Sequence, residues 1–137
     1  VTGVQTCALP ILKEVISVAR CDQKIASCLV ELGDSQAALD RARKAMDVFE
    51  TAHDSRRLVF ALFEFGKAQV LLGELDEALA TFDQVLTAAS EDEPRDFDFI
   101  VSIESRIAQV LKQLGRTEEA TEIERRISSV SEILGDE

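Results

Sequence analysis

Tryptophan and tyrosine are missing from this 137-residue chain, which has one histidine, two prolines and one methionine. Without rings to stack bases, and with a net charge of −11, nucleic-acid binding is disfavoured, because phosphate backbones are repelled. The lone histidine, His53, has no nucleophile and orienting carboxylate placed around it, so a solvated loop residue is expected rather than catalysis. No glycine-rich phosphate cradle of either common type occurs. No apolar run approaches the roughly 20 residues of a membrane span, so no membrane partner is expected.

Cysteine is scarce too, with Cys7, Cys21 and Cys28 only. Cys21 and Cys28 stand seven apart, about 10 Å along a helix axis, which is too far for a disulfide. They also lack the paired short spacing of a zinc site. Buried or semi-buried free thiols follow, and with them a reducing, cytoplasmic location. The acidic run Glu91-Asp92-Glu93, with Asp96 and Asp98, lacks the glycine and ligand spacing of a calcium loop and is read as complementing a helix N-terminus. Neither a metal nor a cofactor is expected, and the chain is read as non-enzymatic.

Residues 1–11, VTGVQTCALPI, fit nothing that follows. They lack the basic start of a signal peptide, and their back-translation resembles a common indexed sequencing adapter read in frame. They are read as a non-native tail from assembled environmental DNA, and the natural chain as part of a longer bacterial protein. Residues 12–137 then form one domain, large enough to bury roughly two-thirds of its unfolded surface.

What the chain does have is a repeat. Three glycines, Gly33, Gly73 and Gly115, are each preceded by leucine (Leu32, Leu72, Leu114). Each is followed five residues later by alanine: Ala38, Ala78 and Ala120. Seven before each glycine is a small residue (Ala26, Gly66, Ala108), and eight before it a large apolar one (Ile25, Phe65, Ile107). Small residues at fixed places let facing helices approach closely. A period near 40 residues points to stacked helical hairpins, none able to bury its own apolar face.

The pattern resembles the tetratricopeptide repeat (TPR), with GELDEA at 73–78 its nearest stretch. The period is longer than the usual 34, as in the kinesin light chain type. The usual aromatics are absent: Leu29, Gln69 and Leu111 stand where a tyrosine is expected. The resemblance implies an all-α, right-handed α-solenoid of three hairpins, six antiparallel helices, with repeats at about 13–52, 55–90 and 95–134. Helices are expected from about Lys13 to Leu32, with Val15, Ile16, Ala19, Ile25, Leu29 and Leu32 as the apolar side and Arg20 to Lys24 as a polar, exposed middle, and from Arg56 to Leu72. A further one is expected from about Arg95, with Pro94 suited to a first turn and Phe97 opening its apolar side. Caps are expected at Asp34 or Ser35 and at Asp54 or Ser55.

The resemblance also implies a concave, partner-binding groove. By alignment its residues are Arg20, Gln23 and Ser27, then Phe60, Phe63 and Lys67, then Ser102, Ser105, Gln109 and Lys112. The charges in this set are all positive on an acidic chain, so an acidic protein or peptide segment is the expected partner, anchored on Phe60 and Phe63. Ser27, Lys67 and Gln109 replace the asparagines of the chaperone-tail clamp, so that ligand is not expected. A protein-interaction scaffold is the reading. The alternative is the sensory region of a bacterial signalling enzyme or transcription regulator, its effector domain lying upstream. Self-association through the exposed first repeat is a third expectation.

Overall fold

The computed structural model describes residues 2–135, with side chains from Leu12 onward apart from Leu134. Six helices follow in order: α1 (Thr2–Leu32), α2 (Ser35–Thr51), α3 (Ser55–Leu71), α4 (Leu75–Glu91), α5 (Phe97–Gln113) and α6 (Thr117–Gly135). There is no strand among the described residues. The expectations for the tail Val1–Ile11 and for Leu134 concern side chains outside the described ones.

The turns form for local reasons. Gly33, Gly73 and Gly115 take φ of +80°, +81° and +82°. That left-handed conformation reverses the chain in one step and disfavours residues with a Cβ. Aspartates cap three of the helices: Asp34 of α2 accepts from the Ala37 N–H, Asp54 of α3 from Arg57 and Asp96 of α5 from Phe99. Each satisfies a backbone donor that the helix itself leaves open.

Two compact units result, divided between Leu72 and Gly73. The boundary falls inside the second predicted repeat, because α3 packs back onto both α1 and α2. In the first unit, α2 buries Ala38, Ala42, Ala45 and Phe49 at four-three-four spacing. One apolar cluster joins Ala19, Ala45, Phe49 and Ala61; another joins Val30, Ala38, Leu39 and Ala68. Burying Phe49 alone contributes about 2–3 kcal/mol. An ion pair of 2.8 Å between Arg41 and Asp22 ties α2 to α1. In the second unit, α4 and α6 each pack on α5. Its core holds Ala78, Phe82, Val85, Ile103, Ile107, Val110, Leu111 and Ala120. The three repeat alanines, Ala38, Ala78 and Ala120, are all fully buried, as their shared register requires.

Four local expectations need correction. Cys21 and Cys28 are exposed free thiols, because they lie on the side of α1 turned away from α2 and α3. The buried side of α1 runs through Ala19, Asp22, Ala26 and Val30, whereas Val15, Ile25 and Leu32 stand exposed. Asp22, read as part of a polar exposed stretch, is buried against Arg41. Pro94 precedes the helix instead of opening it: Asp96 is the cap, α5 begins at Phe97, and Phe97 is half exposed.

Candidate functional site

The arrangement with most chemical character in the first unit is a cleft of about 460 Å³ where α1 meets the start of α3. Arg20, Gln23 and Lys24 come from α1, and Arg56, Arg57 and Phe60 from α3, with Phe49 at the floor and Asp54 at the edge. Phe49 is 1% exposed and fixed in the core, whereas Phe60 is 38% exposed. Arg57 is held by the Asp54 carboxylate that also caps α3. Four basic groups against one acid, beside an open ring, make a positive, partly apolar concavity on a strongly negative chain. Such a site concentrates anionic groups through its local field.

Of the expected groove residues, Arg20, Gln23 and Phe60 line this cleft. Ser27, half-buried, lies one turn further along α1 and outside the lining. Phe63 and Lys67 are buried. The Lys67 ammonium stands 3.0 Å from Glu64 Oε2 and 4.9 Å from the centre of the Phe63 ring. Glu64 is buried as well, and that oxygen receives no aligned hydrogen bond, so the contact is an ion pair held by position. Lys67 is therefore a satisfied interior cation.

In the second unit, Ser102, Gln109 and Lys112 are exposed and Ser105 is half-buried, all on α5. The Ser102 hydroxyl donates to the Asp98 carbonyl, and Lys112 pairs with Glu124 of α6. Glu124 stands at the repeat position that Phe82 fills in α4, which explains how a charge is accommodated there. The concavity of this unit, about 470 Å³, is lined by Leu79, Ile107 and Ile123 with an acidic rim including Asp83, Glu119 and Glu122. None of the expected groove residues lines it.

Lys24, Arg56 and Arg57 line the cleft although the repeat alignment did not assign them to the groove. Arg56 and Arg57 lie about 36 residues from Arg20, and only the packing of α3 on α1 brings them together. The repeat spacing carried the signal, since it places the start of α3 beside the middle of α1.

Known proteins share this arrangement of helices. The TPR domain of Arabidopsis FLU superposes with a TM-score of 0.74 at 18% identity, over 89% of this chain and 98% of that one. That likeness shows the fold: an all-α solenoid of helical repeats. No curated protein matches the chain. No helix among the described residues is long and apolar enough to cross a membrane. The family description for the tetratricopeptide repeat matches residues 14–91, more than half the chain, and with the turn glycines, the buried alanines and the helix order it shows that this protein belongs to the tetratricopeptide-repeat family, whose fold serves protein–protein interaction.

Proposed function

We propose that the chain is an interaction module of a cytoplasmic protein that takes an acidic peptide segment in the cleft between α1 and α3. The observation that supports this is the gathering of Arg20, Lys24, Arg56 and Arg57 around a half-open Phe60, on a chain whose net charge is −11. Phe60 supplies an apolar anchor, and the basic rim supplies orientation and on-rate. Gln23 offers an amide that can donate to a backbone carbonyl of the segment. The cleft presents no nucleophile and base pair, which fits a binding role. Two unpaired, exposed thiols suit a reducing compartment.

Among the remaining groove positions, Ser102, Ser105 and Gln109 offer polar surface on α5, and Lys112 can exchange Glu124 for a partner carboxylate. Lys67 has no such freedom. The test is fluorescence anisotropy with a labelled peptide of alternating Glu and Leu, read against a Lys and Leu control. Arg20→Glu with Arg56→Glu is expected to weaken the acidic peptide at least about tenfold and to flatten its salt dependence. Phe60→Ala is expected to weaken it at every salt concentration. An affinity that the charge reversals leave unchanged would sink this reading.

A further inference from the structure

Helix α1 carries a seam that neither the core nor the cleft uses. Val18, Ile25 and Leu32 recur every seven residues, with Cys21 and Cys28 three after the first two. That is a heptad pattern with apolar a positions and small d positions. Val18 is 61%, Ile25 39% and Leu32 80% exposed, and both thiols are exposed. Glu14, at the preceding d position, ends the seam on its N-terminal side.

The repeat itself says what such a face is for. Forty residues on, at the same repeat positions, stand Leu58, Ala61, Phe65, Ala68 and Leu72. All five of those lie in the two clusters that join α3 to the helices before it. The positions that α3 uses to dock on a neighbouring helix are therefore present and uncovered on α1.

We propose that this seam pairs with α1 of a second copy, antiparallel, to make a symmetric dimer. A head-to-tail contact is disfavoured, because α6 carries Thr121, Glu124 and Ser128 where α2 presents Leu39, Ala42 and Met46. Between two copies of this chain, the pairing then uses the same face twice. The seam's edge decides direction. Lys24 and Glu31 both occupy the g position, both are exposed, and neither has an ion-pair partner among the described residues. With Ile25 layered on Cys28 of the second copy and Leu32 on its Cys21, Lys24 of each copy meets Glu31 of the other. That gives two complementary contacts per dimer. A parallel pairing would set Lys24 beside Leu29 and offers neither.

The full chain tests this by sedimentation or light scattering over a concentration range from about 10 µM to about 500 µM. Mass should rise from one copy to two, and alkylation of Cys21 and Cys28 should slow as it does. Ile25→Lys should hold the chain monomeric with its helical circular dichroism unchanged, since that side chain is outside the core. Lys24→Glu should weaken the dimer at least about fivefold, and adding Glu31→Lys should restore it. A strict monomer at the highest concentration, or a dimer indifferent to Ile25→Lys, overturns the proposal. A double charge exchange that does not restore pairing overturns the antiparallel arrangement. Lys24 also borders the cleft, so these variants are judged on mass, and peptide affinity decides the cleft separately.

Discussion

Replacing Lys67 by methionine removes the charge while keeping the length and most of the volume of the side chain. In the structure its ammonium is 3.0 Å from Glu64, with both side chains less than one-tenth exposed. At an effective dielectric near 20, that separation is worth about 5 kcal/mol of attraction, and the Phe63 ring adds about 1–2 kcal/mol to a desolvated cation. Against this stands the cost of burying two charges, several kcal/mol for each. The net pair is therefore close to neutral. The single substitution is not, because it strands the Glu64 carboxylate with no cation and no hydrogen bond on Oε2. A loss of about 3–5 kcal/mol is expected for Lys67→Met. In urea titrations followed by far-UV circular dichroism, with a slope of about 2 kcal/mol per molar, the midpoint should fall by about 1.5–2.5 M. Changing both partners, Glu64→Leu with Lys67→Met, should return stability to within about 1 kcal/mol of the starting protein or raise it. A single variant that loses less than about 1 kcal/mol, or a double variant as unstable as the single, would refute the reasoning. The pair also bears on tests of binding. Lys67→Glu would bury two facing carboxylates, so lost binding in that variant would report unfolding.

Other outcomes can be stated more briefly. Phe82→Ala, at a fully buried position of α4, should cost about 3–5 kcal/mol, and a loss under about 1 kcal/mol in the same urea assay would mean that α4 is not packed as described. Asp96→Ala removes the cap that accepts from Phe99 and should cost about 1 kcal/mol, visible as faster amide exchange in the first turn of α5. His53 closes α2 at a φ of +55°, where a residue with a Cβ is strained. His53→Gly should therefore raise the thermal midpoint by an amount corresponding to about 0.5–1 kcal/mol, and a lower midpoint would contradict the turn.

What sequence made legible was what chemistry fixes locally. A glycine after leucine marked three of the left-handed corners, Asp34 and Asp54 stood among the expected caps, and Ala38, Ala78 and Ala120 fell in buried places because close helix approach admits little else. The outward side of α1 was not legible in this way. Periodicity shows that apolar residues recur, but Val18, Ile25 and Leu32 look no different in sequence from Leu58, Phe65 and Leu72, and only the presence of a neighbouring helix separates them. Pro94 misled for a related reason: it suits a first turn, but Asp96 can bond the Phe99 N–H and so sets the start two residues later. Lys67 was read from its place in the repeat as a groove charge, although Glu64 three residues before it was already the spacing of a helical pair. The cleft depended on packing, since Arg20 and Arg56 approach each other only once α3 lies on α1.

A Cβ added at Gly33, Gly73 or Gly115 would meet nothing within 4 Å. The obstacle to a side chain at these corners is handedness alone, since the space is open and only the mirror-image torsion is enforced. A residue of opposite chirality has its ordinary basin there. D-alanine installed by chemical ligation at Gly115 would fit without a clash and would narrow the conformations open to the unfolded chain. Each corner is thus a place where the backbone can be stiffened by stereochemistry, with no new contact required.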